Sequence, residues 1–154
     1  MVRIRQYNDY FKGMLLKVPA LKSFILVTAE SDLMEKIRNI SDDDFPLLIA
    51  VIPSADSIAP DPDNVLEAST CFLYVVKKLI QDSSSDESFL TLMETTQDVF
   101  TAVKLQMAAD KSNHDTSPHF MHRMDLNRMH SDPEYNYLGC AGWSLSFNLL
   151  TPGF

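Results

Sequence analysis

Gly142-Trp143-Ser144-Leu145-Ser146-Phe147-Asn148-Leu149-Leu150-Thr151-Pro152 carries the plainest pattern in the chain. Trp143, Leu145, Phe147 and Leu149 alternate with Ser144, Ser146 and Asn148, the period-two signature of a strand with one apolar and one wet face. Gly142 and Pro152 bound it as a turn residue and a breaker, and Leu150 departs from the alternation only where the strand is ending. The segment predicts an inward-facing ribbon that closes a helix-backed sheet.

The elements before it alternate between helix and strand patterns. Tyr7, Tyr10, Phe11, Met14, Leu15 and Val18 recur at helical spacing until Pro19 stops them. Phe24–Thr28 reads as a short strand and Ser31–Arg38 as a short helix, capped by Ser31 with Asp32 near its positive end. After the polar break Ser41–Asp44, the continuous run from Phe45 to Ile52 fits a strand buried on both faces. Pro53 to Asn64 holds three prolines and three aspartates without periodicity and predicts a surface loop.

Cys71–Leu79, rich in aromatic and β-branched residues, is the next strand. Gln81–Ser88 is a polar connector in which Ser84 and Glu87 have capping-box spacing. Phe89, Leu92, Met93, Thr96, Phe100, Val103 and Met107 then form one stripe at three- and four-residue intervals, the strongest helix of the sequence. Lys111–Pro118 reads as a second loop. Phe120, His122, Met124 and Leu126 alternate as a further strand would, and the Asp-Pro and Leu-Gly signals between His130 and Cys140 predict turns. The expected fold is one α+β domain over residues 1–154. A mostly antiparallel sheet of four or five strands packs against the long amphipathic helix and the N-terminal helix.

A chain of 154 residues can bury a core without disulfide or metal support. Its net charge of -8, with thirteen scattered Lys and Arg, argues against nucleic acid and against anionic membranes as partners. No apolar run approaches the length of a spanning helix, and the first ten residues lack the apolar core of a signal peptide. Cys71 and Cys140 are expected as free buried thiols, although two cysteines at this separation can pair.

All four histidines, His114, His119, His122 and His130, fall within one short segment. A metal site completed by Asp115, Asp125 or Asp132 is the sharp reading, but the spacing matches no zinc signature, and His122 shares the predicted strand face of Phe120 and Met124. Asp56, Asp61, Asp63 and Glu67 suggest calcium, yet Pro62 intervenes and no glycine lies between Gly13 and Gly139 to make the sharp turn. Asp42–Asp44 fits a solvated turn better than an acid/base pair. There is no Gly-x-Ser-x-Gly elbow, Ser83–Ser85 fit a linker, and four glycines make neither a P-loop nor a dinucleotide fingerprint. Cys71 inside an apolar strand is expected to be inert, while Cys140, beside a turn, is the more accessible thiol. Tyr135 and Tyr137 alternate toward one face and would favour a protein contact if exposed.

Asp125-Leu126, Asp132-Pro133-Glu134-Tyr135-Asn136-Tyr137 and the closing Gly142–Pro152 segment together resemble the final hairpin of small prophage proteins from Bacteroides-type genomes. In those chains an N-terminal helix, a short helix, two strands and a long helix precede a last Gly-aromatic-x-apolar-x-Phe-x-Leu strand. The element order is also similar to that of tailed-phage tail terminator and tail-completion proteins. The likeness covers most of the chain by element order and residues 125–152 by local pattern. It implies an α+β protein that forms rings where tail meets head and acts through ring surfaces, with no catalytic residue to carry over.

The expectation is therefore a non-enzymatic assembly protein that acts by self-association, with edge strands and exposed loops pairing between copies. Its partners would be its own copies and other phage tail or head–tail proteins, in the cytoplasm or in the virion after assembly. No catalytic, cofactor-binding or metal residue is assigned, and no cofactor is expected. The alternatives are a metal-dependent or small-molecule-binding enzyme built on His114–His130 with Cys140, and a monomeric interaction module that docks through Tyr135–Tyr137.

Overall fold

The computed structural model describes residues 1–28, 30–61, 64–79 and 85–152, and of residues 30–32, 59–61 and 64 the backbone alone. The closing segment forms β5 (Cys140–Pro152) and lies inside a five-stranded sheet with β1 (Ser23–Val27), β2 (Leu47–Asp61), β3 (Asn64–Lys78) and β4 (His130–Tyr137). The strand order is β1-β2-β3-β5-β4. β1 runs parallel to β2, and the other three pairings are antiparallel. β5 pairs with β3 along its whole length, from Cys140 opposite Lys78 to Pro152 opposite Leu66. With the helices α1 (Ile4–Lys17), α2 (Glu30–Arg38) and α3 (Asp86–Ser112) this is an α+β fold.

The alternation of β5 does what its pattern predicts. Leu145, Phe147 and Leu149 are buried with Cys71, Leu73 and Val75 of β3 and Leu48 and Ala50 of β2. α1 and α3 cover this face through Tyr7, Phe11 and Met14 and through Phe100, Val103 and Met107. Trp143 stacks on Phe100 at an interplanar angle of 27° with ring centroids 6.1 Å apart, and its indole N–H donates to the Met93 carbonyl at 3.2 Å. The opposite face holds Leu47, Ile49, Val76 and Cys140 under Leu33 and Ile37 of α2 and under Phe45. β2 is thus buried on both faces, as the unbroken run from Phe45 predicts, and Ser144, expected to be wet, is buried there too.

α3 follows its stripe. Thr96 is buried without loss because its hydroxyl donates to the carbonyls of Leu92 and Met93. Its N-cap is Ser85, whose hydroxyl accepts from the Ser88 amide at 3.3 Å. The expected cap Ser84 lies outside the described residues, and Ser31 is not the N-cap of α2, because the helix already begins at Glu30 and takes Ser31 into its first turn.

Three expectations are corrected. Pro53–Asn64 is no loop, because β2 runs on to Asp61 and β3 begins at Asn64, which makes a long hairpin. The ladder breaks register between Val51 and Ser54 and again between Ile58 and Asp61, where Pro53 and Pro60 fall. β1 stops at Val27, opposite Val51, so beyond it β2 is an edge among the described residues, where a proline is tolerated.

The alternation from Phe120 to Leu126 is not a strand. It folds as the 3₁₀ turns His119–Arg123 and Leu126–Arg128. Phe120, Met121 and Met124 point inward, and in a 3₁₀ turn residues three apart eclipse, which puts Met121 and Met124 on one side. Met124 still makes a single bridge to Leu149.

His130–Tyr137, expected as turns, is the outer strand β4, with Pro133 tolerated on its edge. Leu138 and Gly139, at φ of 53° and 77°, make the two-residue turn into β5, since right-twisted hairpins need positive φ at both positions.

Candidate functional site

Among the sequence candidates, the structure gathers three histidines and separates the rest. The C-terminal end of α3 and the 3₁₀ turn His119–Arg123 bring the His114 and His122 rings to 4.3 Å, nearly parallel, and His119 to 5.9 Å from His122, edge-on. His122 Nδ1 sits 3.1 Å from the Lys111 carbonyl. His130 stands apart on β4, with Nε2 3.1 Å from an Asp132 carboxylate oxygen. His122 does not share a strand face with Phe120 and Met124, because there is no strand.

The acidic candidates do not converge. Asp56 lies opposite Ala68 and Ser57 opposite Glu67, so the pleat puts Asp56 and Glu67 on opposite faces of the hairpin. Asp63 and the side chain of Asp61 lie outside the described residues. Asp42–Asp44 form an exposed 3₁₀ turn in which Asp42 pairs with Lys78 at 3.0 Å.

Tyr135 and Tyr137 would share a face in a regular strand. An irregularity at Asn136, with φ of 53°, sends them to different neighbours. Tyr137 stacks on Tyr74 at 5.1 Å, while exposed Tyr135 meets Phe89 edge-on at 5.3 Å.

Both cysteines are free and fully buried. Cys140 is therefore no more accessible than Cys71: hairpin pairing with β3 and β4 draws it under the α2 side of the sheet. Burial pushes the Cys71 thiol up to about 12, partly offset by the neighbouring Tyr7 hydroxyl. It pushes Cys140 up to about 11, offset by the Lys78 charge. A folded pKa above the unfolded one favours the fold fully below the unfolded value of 9.0, and that stabilisation is lost as pH climbs through the folded values. Urea midpoints are accordingly expected to be level from neutral pH to about 8.5 and to fall beyond it, by up to ~1.4 kcal/mol per pH unit for each thiol. A level midpoint up to pH 10.5 would mean that the thiols are not buried.

Sequence reading missed Asp110. It is 3% exposed at the last turns of α3 and accepts four hydrogen bonds. Tyr10 Oη donates at 2.9 Å, Lys17 Nζ at 2.7 and 2.9 Å, and Gln106 Nε2 at 2.9 Å. Tyr10 and Lys17 lie seven residues apart on one face of α1, so this node bolts α1 to α3. Burial, then the Asp110 charge and hydrogen bond, raise the Tyr10 pKa far above its ordinary value. A shallow groove of about 320 Å³, lined by Gln6, Asp9, Gly13 and Thr116, opens beside it. A lone aspartate in a helix stripe gives no signal without its partner helix. Three side chains converge on this one carboxylate, which ties α1 to the last turns of α3.

A further feature of the described residues is a sheet face. Register places Phe72, Thr70, Ala68 and Leu66 of β3 beside Ser54, Asp56 and Ile58 of β2 and Asn148, Leu150 and Pro152 of β5, all on one face. Among the described residues, the buried side chains of α2 cluster with the rows of Ile49 and Val76 and not with these. Ile58 is 45% exposed, Phe72 41% and Leu150 36%. Asp56 is the one charged residue among those ten. Beside this face, residues 54–58 of β2 have no strand on their outer side among the described residues.

Among the described residues no helix is long and apolar enough to cross a membrane. No protein-family model and no curated protein matches the chain.

Proposed function

We propose that this protein is a non-enzymatic assembly component that acts by self-association, as the likeness to tail terminator and tail-completion proteins implies. The carrying observation is the hairpin of β2 and β3. It extends the sheet past the cover of α2 and presents a mixed face, with exposed apolar residues and a single charge, next to an open strand edge. In a molecule of net charge -8, copies repel over most of their surface, and a patch with one carboxylate is where they can meet. The open edge offers main-chain donors and acceptors to a strand from a second copy, while Ile58, Phe72 and Leu150 supply the apolar contact. Pro53 and Pro60 break the ladder on either side of this stretch, which confines pairing to a short segment and limits runaway growth.

Light scattering and native mass spectrometry at several concentrations test this reading. Closed oligomers are expected at micromolar concentration, and Phe72→Asp should shift them to monomer without lowering the urea midpoint, since Phe72 is half exposed already. A strict monomer at every concentration, or an oligomer indifferent to Phe72→Asp and to Ile58→Asp, would overturn it.

A further inference from the structure

We propose that His114, His119 and His122 form a binding site for a divalent first-row transition ion of the zinc type. His122 supplies the fixed ligand. The Lys111 carbonyl can only accept, so the 3.1 Å contact calls for the proton on Nδ1, and in that neutral tautomer the lone pair is on Nε2. Metal-binding histidines are held in this way, by a hydrogen bond from the other ring nitrogen to a carbonyl or carboxylate. The backbone beneath is pinned as well: Lys111 Nζ donates to the His122 and Met124 carbonyls at 3.1 and 2.6 Å, and Phe120 and Met121 anchor the turn in the core.

His114 and His119 supply the adjustable ligands. Both are exposed, so their rings turn without moving the core. Two imidazoles on one tetrahedral ion, with Zn–N near 2.0–2.1 Å, have ring centroids about 5 Å apart. The observed separations of 4.3 and 5.9 Å from His122 bracket that spacing.

Relative to His122, both rings therefore need chiefly to rotate. As they stand, no three His, Cys, Asp or Glu side chains among the described residues close on a single point, and the His114 ring lies nearly flat on His122. Turning an exposed ring costs on the order of 1 kcal/mol, small against three metal–nitrogen bonds. The neighbouring Lys111 charge opposes a cation but is committed to two carbonyls, and exposed Asp115, between His114 and His119, offsets it. Three imidazoles leave the fourth position to water. Sequence spacing hid the site because it depends on the 3₁₀ turn and on the return of residues 113–118, neither of which follows a zinc signature.

The test is a titration of the full chain, first stripped with chelator, with Co²⁺ followed by visible absorption and with Zn²⁺ followed by calorimetry. One equivalent is expected, with the intense d–d bands of a four-coordinate Co²⁺ site. His114→Ala and His119→Ala should each weaken binding by about tenfold or more, while His130→Ala should not. Both sites of change are exposed, so an unchanged urea midpoint confirms that each variant is folded. Absence of stoichiometric binding, or binding unaffected by His114→Ala and His119→Ala, would refute the site. Neither result bears on the oligomer reading, which is measured in chelator.

Discussion

Gly142→Ala is expected to destabilise the protein by about 3 kcal/mol or more, near the top of the range for overpacked sites. A Cβ at this position would sit 2.1 Å from the Val75 carbonyl oxygen and 2.9 Å from the Val76 Cα. Both are backbone atoms of β3, and no rotamer can carry them aside. β3 and β5 would have to separate where Val76 pairs with Gly142 and Val75 with Trp143. That would disturb the Trp143–Phe100 contact and, through Glu134, the pairing of β4.

Gly13→Ala is the control. Gly13 lies inside α1 with nothing within 4 Å of its added Cβ, so the change should be neutral or stabilise by up to ~1 kcal/mol through helix propensity and a less flexible unfolded chain. Urea unfolding of the two variants reads the contrast, which for a domain of this size is also a melting difference of roughly 6–12 °C for 3 kcal/mol. Equal midpoints for Gly142→Ala and wild type would mean that β5 does not lie against β3 in this register.

Asp110→Ala is expected to cost about 2–4 kcal/mol. Removing the carboxylate leaves the Tyr10 hydroxyl without an acceptor in the interior and Lys17 without its counter-charge, and orphaning a buried partner is more costly than never having made the pair. The upper end of the range is discounted because the Lys17 side chain is 38% exposed and water screens it. For the same reason Lys17→Met should cost less than Asp110→Ala, and Asp110→Asn, which keeps an acceptor for Tyr10, should fall between wild type and Asp110→Ala. Equilibrium denaturation orders the three variants. An Asp110→Ala midpoint indistinguishable from wild type would mean that α1 is held to α3 by apolar packing alone.

The elements legible in sequence are those whose signal is local. Tyr7, Phe11 and Met14 mark one side of α1, the Thr96–Met107 stripe marks α3, and Leu145, Phe147 and Leu149 mark the inner face of β5. Helix and strand periods write such faces into neighbouring positions. The element from Phe120 to Met124 shows the limit of that logic. Over five residues a strand and a 3₁₀ turn can share the same apolar positions, and Met121, buried though out of phase with the alternation, was the available sign of the turn. Of the candidate site, the histidines were visible as a cluster in sequence, while their grouping into three and one was not.

By itself the sequence determined the α+β class, the two covering helices, the doubly buried start of β2 and the closing strand, because each depends on which side of a local period is apolar. Tertiary structure alone decided how far β2 and β3 run, since pairing partners such as Ile58 and Leu66 or Ala68 and Leu150 meet only when distant strands align. It likewise decided that Pro53 and Pro60 fall at breaks in the ladder, that Asp110 finds Tyr10 and Lys17, and that His114 comes to rest on His122. Hydrogen bonds and ring contacts between remote residues have no period, so they leave no mark in the order of the amino acids.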